Sequence, residues 1–306
     1  MAVTTAQSYL IYQPDIWAPY VDKTFKAKLV CAKFFTDFSD YLTEGGRSLV
    51  IPHSAAYTAG AITTTTGQIT GNLITDTGTH LDLNLWYGVA RVFADFQKVQ
   101  VASNYRIKEV FAEEMAYALA KQLDSSITDL ITSTYPSRVV NASTAGIKSS
   151  DLEEALGIVE SYNIPRQECA FFFTPKAYFN EVLAVQKLYD ASQFGKGSPV
   201  AVGTHDAIYG VPVYVTSQLP ETVLAEIAPT TTGRGHRCLL IHKRAIGFAI
   251  GNLPMTGNAV AMPSGVRLQE KEAEALRTTV IADIMYGVKV IGNSYRGVRI
   301  ICKVNH

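Results

Sequence analysis

Residues 54–80 read SAAYTAGAITTTTGQITGNLITDTGTH, a stretch built on threonine and glycine. The surrounding range 48–90 contains no lysine, arginine or glutamate, and its only fully charged side chains are Asp76 and Asp82. Threonine favours strands and glycine disfavours helices, so an extended conformation is predicted. The stretch has too few large apolar residues for a core of its own, and too little charge and proline for a disordered segment. We therefore expect it to be ordered by a surface on which it lies, and another subunit is the expected source of that surface.

The composition of the whole chain also favours assembly. The 306 residues are 47% hydrophobic and 18% charged, and the formal net charge is zero. Typical soluble domains have about 25% charged residues. A surface with few charges favours burial between subunits. Zero net charge argues against nucleic acid as the main ligand, although it does not exclude a locally basic face.

The four cysteines are far apart in the chain and have no C-x-x-C spacing. Each has apolar or strand-like neighbours, which predicts reduced, mostly buried thiols in a cytosolic protein, and neither a disulfide framework nor a zinc site. No run of 18 apolar residues predicts a transmembrane helix, and the N-terminal residues lack the pattern of a signal peptide.

The segments that flank the threonine-rich stretch are predicted to be mostly extended. Residues 1–20 are rich in aromatic side chains and contain two prolines, which predicts an extended arm anchored by residues such as Tyr12 and Trp17. Ser48–Pro52 reads as a short strand. After the stretch, leucines that alternate with polar residues over 81–85 predict a returning strand.

One long helix is predicted from Asn104 to Ser133. Apolar residues recur there at i, i+3 and i+4 without glycine or proline before Pro136. At about 1.5 Å per residue, such a helix is roughly 40 Å long. This length suits a spine that crosses a flat subunit.

The second half of the chain is predicted to mix helices and strands. A capping box over Ser150–Glu153 predicts a helix with an apolar face at Leu152, Ala155, Leu156 and Val159. Cys169–Phe173 reads as a buried strand, and Thr174-Pro175 as the start of a third helix. A loop from Thr230 to Arg237 is predicted, and strands are predicted over 208–215, 238–250, 278–291 and 299–304.

No catalytic motif emerges from the sequence. The serine-hydrolase, zinc-protease, Walker A and dinucleotide-binding patterns are absent. The six histidines are scattered singly, and His242, inside a predicted strand, reads as structural. Glu113-Glu114 reads as a solvated helix face, and the charged run 267–277 as either an intersubunit salt network or an exposed face. The sequence therefore predicts no enzyme activity, no metal site and no cofactor.

The order of these elements, with three short motifs, resembles a known family. The motifs are Phe171-Phe172-Phe173-Thr174-Pro175, Ile208-Tyr209-Gly210-Val211-Pro212-Val213 and Ala245-Ile246-Gly247-Phe248-Ala249. Together with the N-terminal arm, the long uncharged loop and the spine helix, they resemble the major capsid proteins of tailed bacteriophages, which have the HK97 fold. The resemblance implies an α+β fold with an N-terminal arm, an extended β-loop, a peripheral domain and an axial domain with a central mixed sheet.

The resemblance also implies a division of the chain. Residues 1–44 would be the N-terminal arm and 45–88 the extended loop. Residues 89–139 and 262–293 would form the peripheral domain, with the spine helix at about 104–133. Residues 140–261 and 294–306 would form the axial domain, with 230–237 as a loop at a symmetry axis. The implied candidates for assembly contacts are Tyr57, Ile62, Ile69, Leu73 and Ile74 on the extended loop, Arg234, His236 and Arg237 on the axis loop, and Tyr12 and Trp17 on the arm.

The implied function is that of a shell protein. The chain would self-assemble in the host cytoplasm into the pentamers and hexamers of an icosahedral virion that encloses double-stranded DNA. The implied partners are a portal protein, possible scaffolding and decoration proteins, and the packaged DNA through non-specific contacts, with no membrane. The family's namesake cross-links its shell through a lysine on the extended loop. This chain has no lysine between Lys33 and Lys98, so we expect a non-covalent contact.

Two alternatives stay open at the level of sequence. The first is an encapsulin-type nanocompartment of the same fold, for which no cargo-binding signature is evident. The second is a cytosolic α+β hydrolase that uses one of the scattered cysteines or histidines. The absence of a catalytic constellation and the long threonine-rich stretch count against the hydrolase.

Overall fold

The structure, a computed structural model, describes residues 30–42, 46–53, 77–94, 107–142, 146–185, 207–223, 234–253, 260–261, 266–273, 277–291 and 294–303. The helices are α1 (Cys31–Phe34), α2 (Ile107–Thr128), α3 (Ser149–Ser161) and α4 (Pro175–Ala177). The strands are β1 (Thr36–Asp37), β2 (Ser48–His53), β3 (Thr77–Asp82), β4 (Leu85–Ala94), β5 (Arg138–Ala142), β6 (Cys169–Phe173), β7 (Ala207–Ile208), β8 (Val211–Val215), β9 (Glu221–Val223), β10 (Arg234–His242), β11 (Ile246–Gly251), β12 (Val260–Ala261), β13 (Arg267–Ala273), β14 (Arg277–Val290) and β15 (Gly297–Lys303).

The first sheet is organised around the long strand β14. Strand β4 pairs antiparallel with residues 277–286 along one edge of β14. Along the other edge, β13 pairs with residues 277–283 and β11 with residues 285–290. Strands β12 and β1 extend the sheet beyond β13 and β11. Because β14 is longer than its neighbours, it pairs with three strands at once, of which β4 is distant in sequence.

Helix α2 covers one face of this sheet. Its apolar stripe, which includes Met115, Leu119, Leu123 and Ile127, is buried against side chains of β4 and β14. A polar contact fixes the helix on the sheet, because the hydroxyl groups of Ser126 and Tyr286 are 2.8 Å apart. A long helix is thus present where the sequence predicted one, but it ends at Thr128, five residues before Ser133. The chain turns there, with Ile131 N donating to Thr128 O at 2.9 Å.

The second sheet has the order β5-β15-β10-β6-β8-β7, with β9 also paired to β10. Strands β5 and β15 are parallel, as are β6 and β8, so the sheet is mixed. Helix α3 packs on it through the predicted apolar face, and Leu152, Ala155, Leu156 and Val159 are all buried. All five residues of β6 are buried, as predicted for 169–173. The sequence range assigned to the axial domain includes β11, which pairs in the first sheet.

Asp124 of α2 fixes the start of the described chain. Its Oδ1 accepts a hydrogen bond from Ala32 N of α1 at 2.9 Å, and burial raises the pKa of this carboxyl. Phe34 and Phe35 then pack on Phe172 of the second sheet, with ring centroids 5.3 and 5.9 Å away. This segment therefore contacts both the spine helix and the second sheet.

The strand predicted over 208–215 is a hairpin instead. Tyr209 has φ 51° and Gly210 has φ 79°, so the chain reverses between β7 and β8. Two consecutive residues with positive φ are typical of the two-residue turns that join antiparallel strands. The continuous apolar sequence concealed this turn, because tyrosine is an uncommon residue at positive φ.

The strand predicted over 238–250 is likewise two strands, β10 and β11. Their connecting turn is closed by Ala245 N donating to His242 O at 3.0 Å. The turn carries the chain from the second sheet to the first, since β10 pairs with β15 and β11 with β14. The prediction was wrong because the residues on both sides of the turn are apolar and buried.

Two helix starts show how local polar contacts set boundaries. At α4, Thr174 Oγ1 accepts from Ala177 N at 3.4 Å, which confirms the predicted start. The helix is short, however, and continues as a π-helical turn over Tyr178–Val182. At α3, the predicted capping box at Ser150 was wrong. Asp151 caps the helix instead, with its Oδ2 accepting from Lys148 N at 2.8 Å.

The four cysteines are free, and all four are buried, as predicted for their apolar surroundings. In the part of the chain that the structure describes, no helix is long and apolar enough to cross a membrane.

Candidate assembly surface

The two strands that flank residues 54–76 pair with each other. Strands β2 and β3 form an antiparallel hairpin that runs from Ser48 opposite Asp82 to His53 opposite Thr77. Residues 54–76 connect the two strands and lie outside the described residues. In β2 every second residue is exposed, because the strand has one face against the subunit and one face open. The hairpin therefore fixes the positions at which the chain enters and leaves residues 54–76.

The inner face of the hairpin packs on the first sheet. Leu81 is fully buried in a small apolar cluster with Leu42, Leu83 and Ala249, and Leu49 and Ile51 of β2 pack against it. Two polar contacts fix the hairpin further. Leu83 N donates to Arg47 O at 2.9 Å, and the Nε2 of His53 lies 2.8 Å from the Thr79 hydroxyl.

A glycine allows the base of the hairpin to lie directly against the first sheet. A Cβ atom placed on Gly287 of β14 would overlap the carbonyl oxygen of Asp82 and lie 2.9 Å from its carbonyl carbon. Contacts under 3.0 Å are essentially never made by real Cβ atoms. Any other residue at this position would push the hairpin base away from β14.

Next to the hairpin, β4 has an exposed strip of small and apolar side chains. Trp86, Gly88, Ala90 and Val92 alternate along the strand and share one face, opposite the side covered by α2. Trp86 is 66% exposed and Val92 is 53% exposed. Among the described strands, β4 pairs only with β14, so its outer edge is also open. Exposed apolar strips of this kind mark sites of protein–protein contact.

A buried ion pair lies beside this strip, on the same face of the sheet. Both oxygens of Asp283 accept from the Arg267 guanidinium, at 3.0 Å from Nε and 2.6 Å from Nη2. The indole Nε1 of Trp86 also donates to Asp283 Oδ2, at 3.0 Å. The hydrogen bond to Asp283 raises the pKa of Arg267, so the guanidinium stays charged. One carboxylate thus joins β13, β14 and β4 and fixes the orientation of the exposed indole.

Three of the four buried cysteine thiols have raised pKa values. Burial raises the pKa of the Cys31 thiol, and burial with the Glu168 charge raises that of Cys169 to about 12. A hydrogen bond with Cys238 that favours the protonated thiol, together with burial, raises the pKa of Cys302. These thiols stay protonated at neutral pH and are poor nucleophiles. Within the described ranges, no three histidine, cysteine or acidic side chains group as a metal site would require.

Several solved structures resemble this chain over almost its whole length. A structure from Mycobacterium phage Che8 is 18% identical, with a TM-score of 0.70 and coverage of 94% of this chain and 97% of that chain. The capsid of cyanophage P-SCSP1u is 15% identical, with a TM-score of 0.71 and coverage of 95% and 93%. The capsid of cyanophage Pam1 is 12% identical, with a TM-score of 0.71 and coverage of 99% and 98%.

The chain has the HK97-type capsid fold. The likeness extends over almost the whole of each compared chain, and the α+β class and the resemblance predicted from sequence are thereby confirmed at the level of the fold. No protein-family model matches the chain, and no curated protein matches it. The HK97-type fold is therefore recognised here by its three-dimensional arrangement and not by sequence identity.

The predicted axis loop requires a correction within this fold. Arg234, His236 and Arg237 lie in strand β10, which is held between β9 and β15 by ladder pairing, and not in a loop. His236 is 8% exposed and Arg237 is 6% exposed, and Arg237 Nη1 donates to Ile131 O at 2.7 Å. The glycines on both sides of Arg234 suggested a loop, but the strand continues through Gly235. An intersubunit role for these residues stays a prediction.

The other predicted contact residues fall outside the described ranges. They are Tyr12, Trp17, Tyr57, Ile62, Ile69, Leu73 and Ile74. Sequence reasoning missed the exposed strip on β4. The alternation of Trp86, Gly88, Ala90 and Val92 would have revealed it, since a strand with one buried face repeats every two residues.

Proposed function

We propose that this chain is the major capsid protein of a tailed bacteriophage and self-assembles into the pentamers and hexamers of an icosahedral shell around double-stranded DNA. The observation that carries the proposal is the match to phage capsids over the full length of both chains, between 93% and 99% for the two cyanophage structures. A likeness restricted to one domain would support only a shared module.

The extended loop is proposed to make the main contact between subunits. Residues 54–76 extend from a base that is fixed on the first sheet by Leu81 and by the close approach of Gly287 to Asp82. A fixed base would leave residues 54–76 available for contact with a neighbouring subunit. The exposed strip on β4 is our candidate for the surface that receives the segment of a neighbouring subunit, because the strip is uncharged, residues 54–76 carry only the charge of Asp76, and both have strand-forming sequences.

We propose a division into two domains that follows the two sheets. The spine helix with the sheet of β4, β11, β13 and β14 would be the peripheral domain. The sheet of β5, β6, β8, β10 and β15, with α3, would be the axial domain. The N-terminal arm would be residues 1–44 and the extended loop residues 45–88. Pairing of β11 with β14 supports moving residues 246–251 into the peripheral domain.

The chain is proposed to be a structural protein without enzyme activity. The raised pKa values of the buried thiols argue against a cysteine nucleophile. Assembly in the host cytoplasm, a portal protein, the packaged genome, and scaffolding or decoration proteins complete the proposal. No contact in the described parts of the chain favours the nanocompartment alternative.

Electron microscopy of the expressed protein tests the proposal most directly. We expect closed icosahedral particles of uniform size. A protein that stays a monomer or dimer at every concentration and salt condition would overturn the shell function. Particles that take up a cellular protein cargo and no DNA would favour the nanocompartment.

A further inference from the structure

Four cationic side chains lie together at one end of the second sheet. They come from the start of β5, the turn between β10 and β11, and the residue before β15, and we call them the cationic turn cluster: Arg138, Lys243, Arg244 and Arg296. Hydrogen bonds hold these segments together. Arg296 Nη1 donates to Arg244 O at 2.9 Å, and His242 N donates to Arg296 O at 2.9 Å.

Few negative charges offset this cluster. Among the described residues, no carboxylate forms an ion pair with any of its four members. The adjacent carboxylate, Glu168, lies 3.0 Å from the Nε2 of His242. The Nδ1 of His242 accepts from Arg244 N at 3.1 Å, so the ring is the neutral tautomer with its proton on Nε2. Four cations therefore face one carboxylate in a chain whose net charge is zero.

The pKa of His242 is sensitive to the positive charge of this cluster. Burial lowers the pKa of His242, and the charges of Arg296 and Arg244 lower it further, against the opposing effect of Glu168. The charges of Arg296 and Arg244 therefore disfavour protonation of the buried His242 ring. A bound polyanion would offset their charge and raise this pKa.

Arg138 is held in place by aromatic side chains. Its Nη2 donates to the Tyr162 hydroxyl at 2.5 Å, and its guanidinium carbon lies 5.7 and 5.5 Å from the ring centroids of Tyr162 and Tyr295. The two rings are stacked, with centroids 4.7 Å apart. Arg138 is exposed and carries further N–H groups for a ligand. A guanidinium fixed in this way loses little entropy when it binds an anion.

We propose that the cationic turn cluster binds the phosphate backbone of duplex DNA, and this inference rests on the proposed shell function. A duplex presents one negative charge per roughly 1.7 Å of its axis. This high density of negative charge would allow several of the four clustered cations to contact phosphates of one duplex at the same time. Arginine forks suit phosphate oxygens, and contacts to phosphates carry no sequence information, so binding would not depend on sequence. An acidic protein segment is the alternative that the experiment has to separate.

The test compares two triple variants of the full chain as free subunits. Arg138→Gln with Lys243→Gln and Arg244→Gln removes three cluster charges and keeps Arg296, which holds the turn. Lys121→Gln with Lys176→Gln and Lys289→Gln removes three exposed charges elsewhere and is the matched control. Binding to a fluorescent 30-base-pair duplex is measured between about 50 and 200 mM salt, the range over which phosphate contacts change affinity most clearly.

We expect the cluster variant to bind the duplex at least about tenfold more weakly at the lowest salt, with a salt slope smaller by about 2 to 3, since each phosphate contact contributes about 0.9. The control should behave like the wild type. In the wild type, NMR should show a rise in the pKa of His242 when the duplex is added. Equal loss in both variants would overturn the proposal, as would an unchanged cluster variant or tighter binding of polyglutamate than of DNA.

Two further measurements make these results interpretable. The unfolding midpoint of each variant shows whether the fold is intact, and the single Lys243→Gln variant, at an exposed turn position, repeats the test with minimal perturbation. Electron micrographs of the wild type assess the shell function separately. Shells without DNA binding by the subunit would overturn this inference alone, whereas an absence of shells would overturn the proposed function.

Discussion

Gly287 of β14 and Asp82 of β3 are in direct backbone contact, with no room for a side chain between them. Gly287→Ala forces these backbones apart and should destabilise the subunit by about 1 to 3 kcal/mol, as overpacking of a tight site does. Chemical denaturation measures this change. Gly157→Ala is the control, because a Cβ there meets nothing within 4 Å and should stabilise α3 by up to about 1 kcal/mol. Equal behaviour of the two variants would contradict the close approach.

The ion pair of Arg267 with Asp283 predicts a large effect of a single truncation. Asp283→Ala leaves the guanidinium in a largely buried position without this carboxylate and removes the acceptor for Trp86 Nε1. We expect a loss of about 3 kcal/mol in the free energy of unfolding. Glu160→Ala removes the carboxylate of the exposed pair with Arg166 and should cost less than about 1 kcal/mol. A loss under 1 kcal/mol for Asp283→Ala would show that the buried pair does not stabilise the sheet.

Replacing residues 54–76 by Asn-Gly should separate folding from assembly. This dipeptide favours the tight turn that joins antiparallel strands, so β2 and β3 should still pair from Ser48 to His53. We expect a folded subunit with a thermal midpoint close to that of the wild type and no closed particles in electron micrographs. A deletion of 57–79 would be less clear, because it would remove part of β3. Normal particles from the Asn-Gly variant would exclude the extended loop as the main contact.

The strip on β4 predicts an assembly defect without a folding defect. Val92→Glu places a charge on a side chain that is 53% exposed, so the free energy of unfolding should change by no more than about 0.5 kcal/mol. Light scattering and electron microscopy should show fewer or no shells, since a charge would oppose burial of the strip. Gln167→Glu adds the same charge at an exposed position outside the strip and should assemble normally. Loss of assembly in both variants would point to net charge as the cause.

His242 predicts a pH dependence of stability. Burial lowers its pKa in the folded subunit below the unfolded value of about 6.5, so the unfolded state binds more protons in that range. The contribution of His242 should therefore be fully present above pH 6.5 and decline as the pH falls towards the folded value. Urea midpoints at pH 7.5 and 5.5 measure the decline. His242→Gln should reduce it, and an unchanged pH dependence in this variant would assign the effect to other groups.

The sequence predicted elements well where one residue pattern admits one structure. The apolar face of α3 at Leu152, Ala155, Leu156 and Val159 is such a case, as is Thr174 before Pro175, because side-chain spacing and capping chemistry act locally. The alternating burial of β2 follows from its pairing with β3, and its position as a strand was also readable from 48–52.

The sequence failed where tertiary contacts set a boundary inside an apolar run. The turn at Tyr209 and the turn after His242 are both flanked by strand-forming residues, so nothing local marks them. Strand pairing on both edges likewise extends β10 through Gly235, which reads as a loop in isolation. The strip on β4 is the face of a strand and not a sequence motif. The hydrogen bond from Trp86 to Asp283 of its partner strand β14 spans 197 residues, so local sequence does not predict it.

The short connection from β3 to β4 has a mechanical consequence. Leu83 and Asn84 alone separate the hairpin from the edge strand, and Leu83 N is bonded to Arg47 O on the opposite side of the hairpin base. Gly287 holds the base of this hairpin at Asp82, and only two residues follow before β4 begins. We therefore expect any displacement of the hairpin base to shift the edge of the first sheet at Trp86, two residues beyond the connection.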